Sequence, residues 1–321
     1  MRGETGIRMT DSGEYVKPVI QTFILSATLL LGFFAMAAQA HKDPFPPLPG
    51  ATLVYGSFDP FFLVVRTPDA THRVLPEPQE PPHETKPIYP SITLDGQQVA
   101  AARLRGANPR RVSISVYSIP EKKWTDYGVG TYAGSIAISP DGLKLAFPGQ
   151  CTQQPVRIHV LNRSTGEETL GPDVVDCEAV LSWSPDAKQL VFEVGTPDVP
   201  IKIWNLRSNG VKTLDSGAAP AWSPSGEWIA YIYGGDRVKV VHPDGTGGKI
   251  IVELPRAGFI IRRQLEFRKL PVWSPDSAHL LLNVLMTEEY TMDVLMVDFP
   301  SLHKKTAFKN VAPIMGWAGA R

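Results

Sequence analysis

Three segments of the chain share one pattern of apolar and polar positions: SWSPDAKQLVFEV from Ser182, AWSPSGEWIAYIY from Ala221 and VWSPDSAHLLLNV from Val272. In each, a short run ending in Trp meets a polar turn, and an apolar run follows. Two further copies, YPSITLDGQQVAAAR from Tyr89 and GSIAISPDGLKLAFPG from Gly134, carry the same turn. The runs after the turn (residues 143–147, 189–192 and 228–233) predict a strand antiparallel to the one before it. A third run comes next in every copy: RVSISVY from Arg111, VRIHVLN from Val156, IKIWNL from Ile201, RVKVVH from Arg237 and DVLMVD from Asp293. Several of these alternate in side-chain character, as half-buried strands do. A second turn (RSTGEE, RSNGV or PDGTGG) and a short last run such as KTL or KIIVEL complete the unit. Each repeat therefore predicts four antiparallel strands.

The position of the turn's acidic residue is filled by Asp95, Asp141, Asp186, Ser225 and Asp276, at intervals of 46, 45, 39 and 51 residues. A period of this size with four strands per unit predicts a β-propeller, one blade per repeat. The C-terminal NVAPIMGWAGAR supplies only a first strand, with Trp317 roughly where other copies carry Trp183, Trp222 and Trp273. The N-terminal piece supplies the rest: ATLVYG as second strand, FFLVVR as third, TPDAT as turn and HRVL as fourth. Closing a sixth blade this way pairs edges that would otherwise be open to aggregation. The expected fold is all-β, a six-bladed propeller of four-stranded antiparallel blades over residues 51–321.

The repeat resembles the WD-like β-propeller repeat of the TolB type, whose pattern is close to P-x-W-S-P-D-G-x-x-I-A-F followed by I-Y-V-x-D-x-x-T-G. APAWSPSGEWIAYIY and VKVVHPDGTGGK are near-literal examples, and the resemblance covers residues 51–321. TolB itself has an additional α/β domain before its propeller. Here only the Pro-rich HKDPFPPLPG, residues 41–50, separates the cleavage site expected after Ala40 from the first predicted strand. The resemblance thus implies a propeller alone, and TolB's particular role does not carry over with it.

Ahead of the repeats, residues 19–38 are nearly all apolar, preceded by Arg8 and Lys17 and followed by Ala38-Gln39-Ala40, a small-x-small cleavage pattern. Residues 1–40 are expected to be a signal peptide cleaved after Ala40. The alternative is an N-terminal membrane anchor, since about twenty apolar residues span a bilayer. Lys plus Arg and Asp plus Glu are both 32, so the whole chain has no electrostatic drive toward nucleic acid. The 30 Pro fit a turn-rich protein of short elements.

Recurring carboxylates invite a catalytic reading, but a residue needed once per blade is explained by the blade. Asp95, Asp141, Asp186 and Asp276, with Ser225 in the fourth copy, are read as turn residues that hydrogen-bond backbone amides. The repeated Trp residues are read as packing between blades. No G-x-S-x-G, H-E-x-x-H, P-loop or G-x-G-x-x-G occurs, and no His pair has ligand spacing, so no catalytic residue, metal or cofactor is assigned. Asn162 begins an NRS glycosylation pattern at a repeat turn.

Three stretches depart from the repeat. PEPQEPPHETKP after Leu75 reads as an extended connector. RLRGANPRR from Arg103 reads as a short basic surface loop. PRAGFIIRRQLEFRKL is long and places Arg256, Arg262, Arg263, Arg268 and Lys269 among Phe259 and Phe267, a mixture suited to a protein or anionic partner or, alternatively, to an extended β-hairpin with a solvated charged face. The expected function is an exported, monomeric, non-catalytic propeller that binds envelope or secreted proteins through one face. Membrane contact is expected only through a retained N-terminal segment. The alternatives are a channel-centred hydrolase, like the six-bladed lactonases that hold a metal with acidic and amide side chains, and a small-ligand-binding propeller.

Cys151 follows the second strand of its blade and Cys177 shortly precedes the first strand of the next. Antiparallel pairing opens both positions on one face across a blade boundary, and a disulfide between them is predicted, worth about 3 kcal/mol. Neither thiol of the mature protein should alkylate before reduction, and both should afterwards, as read by intact mass. Alkylation of both without reductant would show two separate thiols.

Overall fold

The computed structural model describes residues 51–58, 61–69, 71–75, 87–104, 112–130, 135–149, 155–174, 179–194, 200–253, 271–285, 292–311 and 313–319. All described residues belong to one compact unit. The expected signal peptide and linker, Cys151, Cys177 and the loop bearing Arg256, Phe259, Arg262, Arg263, Phe267 and Arg268 lie outside the described residues.

Every regular element among the described residues is a strand. The chain begins with β1 (Ala51–Phe58), β2 (Phe61–Arg66) and β3 (Thr71–Leu75). The first whole blade is β4 (Pro87–Ile92), β5 (Gln98–Leu104), β6 (Val112–Ser118) and β7 (Lys123–Gly130). The second is β8 (Ala137–Ile138), β9 (Lys144–Pro148), β10 (Val156–Asn162) and β11 (Glu168–Val174). The third is β12 (Leu181–Trp183), β13 (Gln189–Glu193), β14 (Pro200–Asn205) and β15 (Val211–Ser216). The fourth is β16 (Ala218–Trp222), β17 (Ile229–Tyr233), β18 (Arg237–Val241) and β19 (Lys249–Glu253). The fifth is β20 (Val272–Trp273), β21 (His279–Leu285), β22 (Met292–Asp298) and β23 (Lys304–Val311). Last comes β24 (Ile314–Gly319).

Each group of four is one antiparallel sheet, and the sixth sheet has the order β24-β1-β2-β3. The composite blade read from the sequence is therefore present. Leu53 on β1 stands opposite Trp317 on β24 and Arg66 on β2, so the two ends of the chain share one ladder.

Six clusters of buried apolar side chains are found among the described residues, and each lies between two neighbouring blades. The side-chain period of two explains this. On β13, Leu190 and Phe192 pack toward the second blade, while Val191 packs toward the fourth. Inner strands are consequently buried on both faces and read as unbroken apolar runs. Alternation appears farther out: β10 alternates buried and less buried positions, and β15 has no buried residue. Close packing also fixes a glycine. A Cβ on Gly171 of β11 would lie 2.6 Å from the fully buried Trp204 of the third blade.

The turn between first and second strands is built alike in each whole blade. In the second, Gly142 N–H donates to Ser139 O, Ser139 Oγ donates to Asp141 Oδ1 at 2.5 Å, and Leu143 N–H donates to the same oxygen at 3.0 Å. Asp95, Asp186 and Asp276 repeat this geometry, and Ser225 substitutes its hydroxyl. The bond from Ser184 holds the Asp186 carboxyl below the ordinary range, and the bond from Ser274 does so for Asp276. The turn's fourth residue has positive φ, at Gly96, Gly142 and Gly226 but also at Ala187 and Ser277. All these turns lie on one side of the ring, the turn face. Links from second to third strands and from blade to blade start and end on the opposite face.

Blades are also joined at their outer parts. Asp215 of β15 accepts hydrogen bonds from the Tyr231 hydroxyl, from Lys239 Nζ at 2.6 Å and from the Ser216 amide at 2.7 Å. Burial pushes the Asp215 carboxyl up, yet the bonds from Lys239, Tyr231 and Ser216 together outweigh it and hold the group low. Burial and this carboxylate push the Tyr231 phenol far up. A carboxyl whose folded pKa is depressed stabilises the fold above its unfolded value of about 4, and this contribution is lost as pH falls through the folded value. Asp215→Asn should therefore lower the melting temperature at pH 7, with a smaller difference from wild type at pH 3. Equal differences at both pH values in thermal melts would contradict this linkage.

Candidate functional site

Six first strands, β4, β8, β12, β16, β20 and β24, surround the axis. Each pairs with its own second strand along one edge only. Unpaired backbone donors are costly when buried, and side chains at the blade boundaries satisfy many of them. The Ile138 amide donates to Ser91 Oγ at 2.8 Å, Leu181 to Ser135 Oγ at 3.1 Å and Trp222 to Ser182 Oγ at 3.0 Å. Glu193, only 8% exposed, accepts from Val180 of its own blade and from Ala219 of the next, the latter at 2.6 Å. Asn283 of the fifth blade bonds both the amide and the carbonyl of Ile314 on β24, at 2.9 and 2.8 Å. The ring closes where Gly319 N–H reaches Leu94 O of the first blade at 3.4 Å.

Inside this ring a cavity of about 880 Å³, its open mouth included, faces the turns. All six blades line it, and none of the described lining residues carries a titratable side chain. Prolines dominate the wall: Pro90, Pro220 and Pro271 deeper in, and Pro140, Pro185 and Pro224 at the turns, with Leu94 at the equivalent place in the first blade. Trp183, Trp222, Trp273 and Trp317 complete it. Two of these indoles also tie blades together, Trp183 Nε1 donating to Ala137 O at 3.0 Å and Trp273 Nε1 to Ala221 O at 3.2 Å. Trp222 bonds Gly226 O of its own turn instead. A wall of this kind attracts apolar surface by dispersion and by release of water.

The structure brings together the repeated Trp residues. It leaves the turn carboxylates outside the wall, their Oδ1 atoms engaged in their own turns. Among the described residues, no group of three His, Cys, Asp or Glu could hold a metal ion. The prolines were available as a signal, because YPSIT, PAWS and PVWS each put Pro three residues before the turn's Ser or Thr. Glu193 had none: the same position holds Ala102, Pro148, Ile232 and Asn283 in the other whole blades.

No family model and no curated protein matches the chain. Solved structures do. TolB from Acinetobacter baumannii superposes with a TM-score of 0.65 at 15% identity, over 88% of this chain and 70% of that one. A putative TolB from Agrobacterium tumefaciens gives 0.53 at 14% identity, over 83% and 92%. An oligogalacturonate lyase in complex with manganese gives 0.54 at 11% identity, over 80% and 74%. At such identities the likeness concerns architecture. The chain has the six-bladed propeller fold of the TolB structures.

Proposed function

We propose that the chain is an exported, non-catalytic binding propeller whose turn-face mouth captures an apolar segment of an envelope or secreted protein. One observation carries this reading: the mouth is assembled from all six blades, and its described lining is apolar, with indole and proline rings from several blades. Recognition there rests on shape and apolar contact, as at the dry centre of a protein interface. The apolar N-terminal run supports export, and the TolB-like fold is compatible with an envelope location. The manganese-bound lyase has the same architecture, so a channel enzyme is the rival reading. Stoichiometric divalent metal in the purified protein would favour that rival.

The test is capture of partners by the tagged chain after mild crosslinking in its native envelope. A partner held at the mouth should be lost when charges are placed at its rim by Leu94→Glu with Pro185→Glu, while thermal melts remain cooperative. β19 ends and β20 begins on the opposite face, so Arg262→Glu with Arg263→Glu, in the basic stretch between them in sequence, serves as the contrasting variant. Loss with the loop variant and retention with the rim variant would overturn the mouth and move the site to the loop.

A further inference from the structure

Three of the six first strands carry a bulge, and each bulge falls at the cavity wall. On β16, Ala218 stands opposite Ile232 and Ala221 opposite Ala230, so Ala219 and Pro220 together face Tyr231 alone. On β4, Tyr89 and Pro90 likewise face Ala101, between Ile88 opposite Ala102 and Ser91 opposite Ala100. On β24, Met315 is the extra residue, because its neighbours Ile314 and Gly316 pair with the consecutive Tyr55 and Val54. Pro90, Pro220 and Met315 all line the cavity. The first strands β8, β12 and β20 pair without a shift but have only two or three residues, against five or six in the bulged strands. A bulge takes a residue out of the ladder's alternation and re-aims it. Here it keeps a first strand paired on both sides of the wall residue while presenting that residue to the axis.

A bulge leaves backbone groups without ladder partners, and strained geometry persists only where the surroundings hold it. Two of the three bulges are held by the preceding blade. Glu193 Oε2 accepts the amide of Ala219, the residue before Pro220, at 2.6 Å. Asn283 bonds the amide and the carbonyl of Ile314, the residue before Met315, at 2.9 and 2.8 Å. Equivalent side chains thus hold equivalent residues. Ala219 is 2% exposed and has a φ of 53°, a left-handed value that glycine adopts freely and alanine only under constraint. The Glu193 carboxylate supplies that constraint, its other oxygen being fixed by the Val180 amide at 3.3 Å. On β1 the equivalent place is Gly56, which has no side chain to offer the β4 bulge.

We infer that Glu193 and Asn283 are positioning residues of the mouth, each holding the bulge that sets Pro220 or Met315 in the wall. This rests on the mouth being the binding site proposed above. Neither side chain belongs to the described lining, so each acts on an occupant only through the residue it holds.

The experiment titrates the full chain with Nile red, an uncharged apolar fluorophore, and reads its emission alongside thermal melts. Binding at the mouth is the part abolished by Leu94→Glu with Pro185→Glu. Glu193→Gln, which keeps one acceptor oxygen, and Asn283→Ala should each weaken that binding about fivefold, in the range for residues that act through others. Ala219→Gly should restore it in the Glu193→Gln background, because glycine adopts the left-handed conformation without the carboxylate. Asp215→Asn, remote from the mouth, controls for stability: it should lower the melting temperature and leave the fluorophore's affinity unchanged. The two braces stand at different boundaries, so if one variant fails to fold the other decides. Mouth binding of wild-type strength in the brace variants overturns the positioning role. So does weakening that merely follows melting temperature, Asp215→Asn included, with no rescue by Ala219→Gly. Both outcomes leave the mouth as a binding site, whereas fluorophore binding indifferent to the rim variant overturns the mouth itself.

Discussion

The structure depends on how six strand edges at the axis are satisfied. A sheet closed into a barrel has no edges, whereas a propeller keeps six separate sheets and turns an unpaired edge of each toward the centre. Backbone amides there have no strand to bond. Ser91, Ser135, Ser182, Glu193 and Asn283 take that role across blade boundaries, and each small acceptor fixes where the next blade begins. Apolar packing between blades supplies the bulk of the attraction but tolerates sliding. These bonds are directional, and they fix the position that packing alone would leave free.

This division explains what the sequence revealed. Strands, turns and the composite blade were legible because they repeat: Ser-x-Asp with a following left-handed residue is written five times, with Ser at the acidic position once and Thr at the Ser position once. Even the split blade could be assembled, since what β24 lacks is what β1 to β3 contain. The alternation read on the third strands is present in β10, β14 and β18, whereas inner strands packed on both sides carry no period-two signature. The braces were not legible at all. Glu193 and Asn283 occupy one repeat position whose other occupants are Ala102, Pro148 and Ile232, so a brace of this kind is an individual solution at one boundary.

The mouth follows from the same economy of form. A proline at the deepest part of a first strand gives up an amide that would need a partner, and it brings a rigid apolar ring to the wall. Tryptophan brings area and has one donor, which Trp183 and Trp273 spend on the preceding blade. Residues chosen to build an uncomplaining inner edge thereby make an apolar recess at the axis. The residues that wall the recess are thus the same ones that tie the blades, whereas the side chains of Leu94 and Pro185 at the turn rim make none of the bonds between blades described above.

The composite blade gives the chain a direction in time. Its innermost strand is the six residues Ile314–Gly319, and its other three strands are the first described elements of the chain. Until β24 has been made, β1 has no inner partner and the composite blade lacks its axial strand. The ring therefore cannot close blade by blade from one end, and it locks only when β24 and β1, far apart in sequence, are available together.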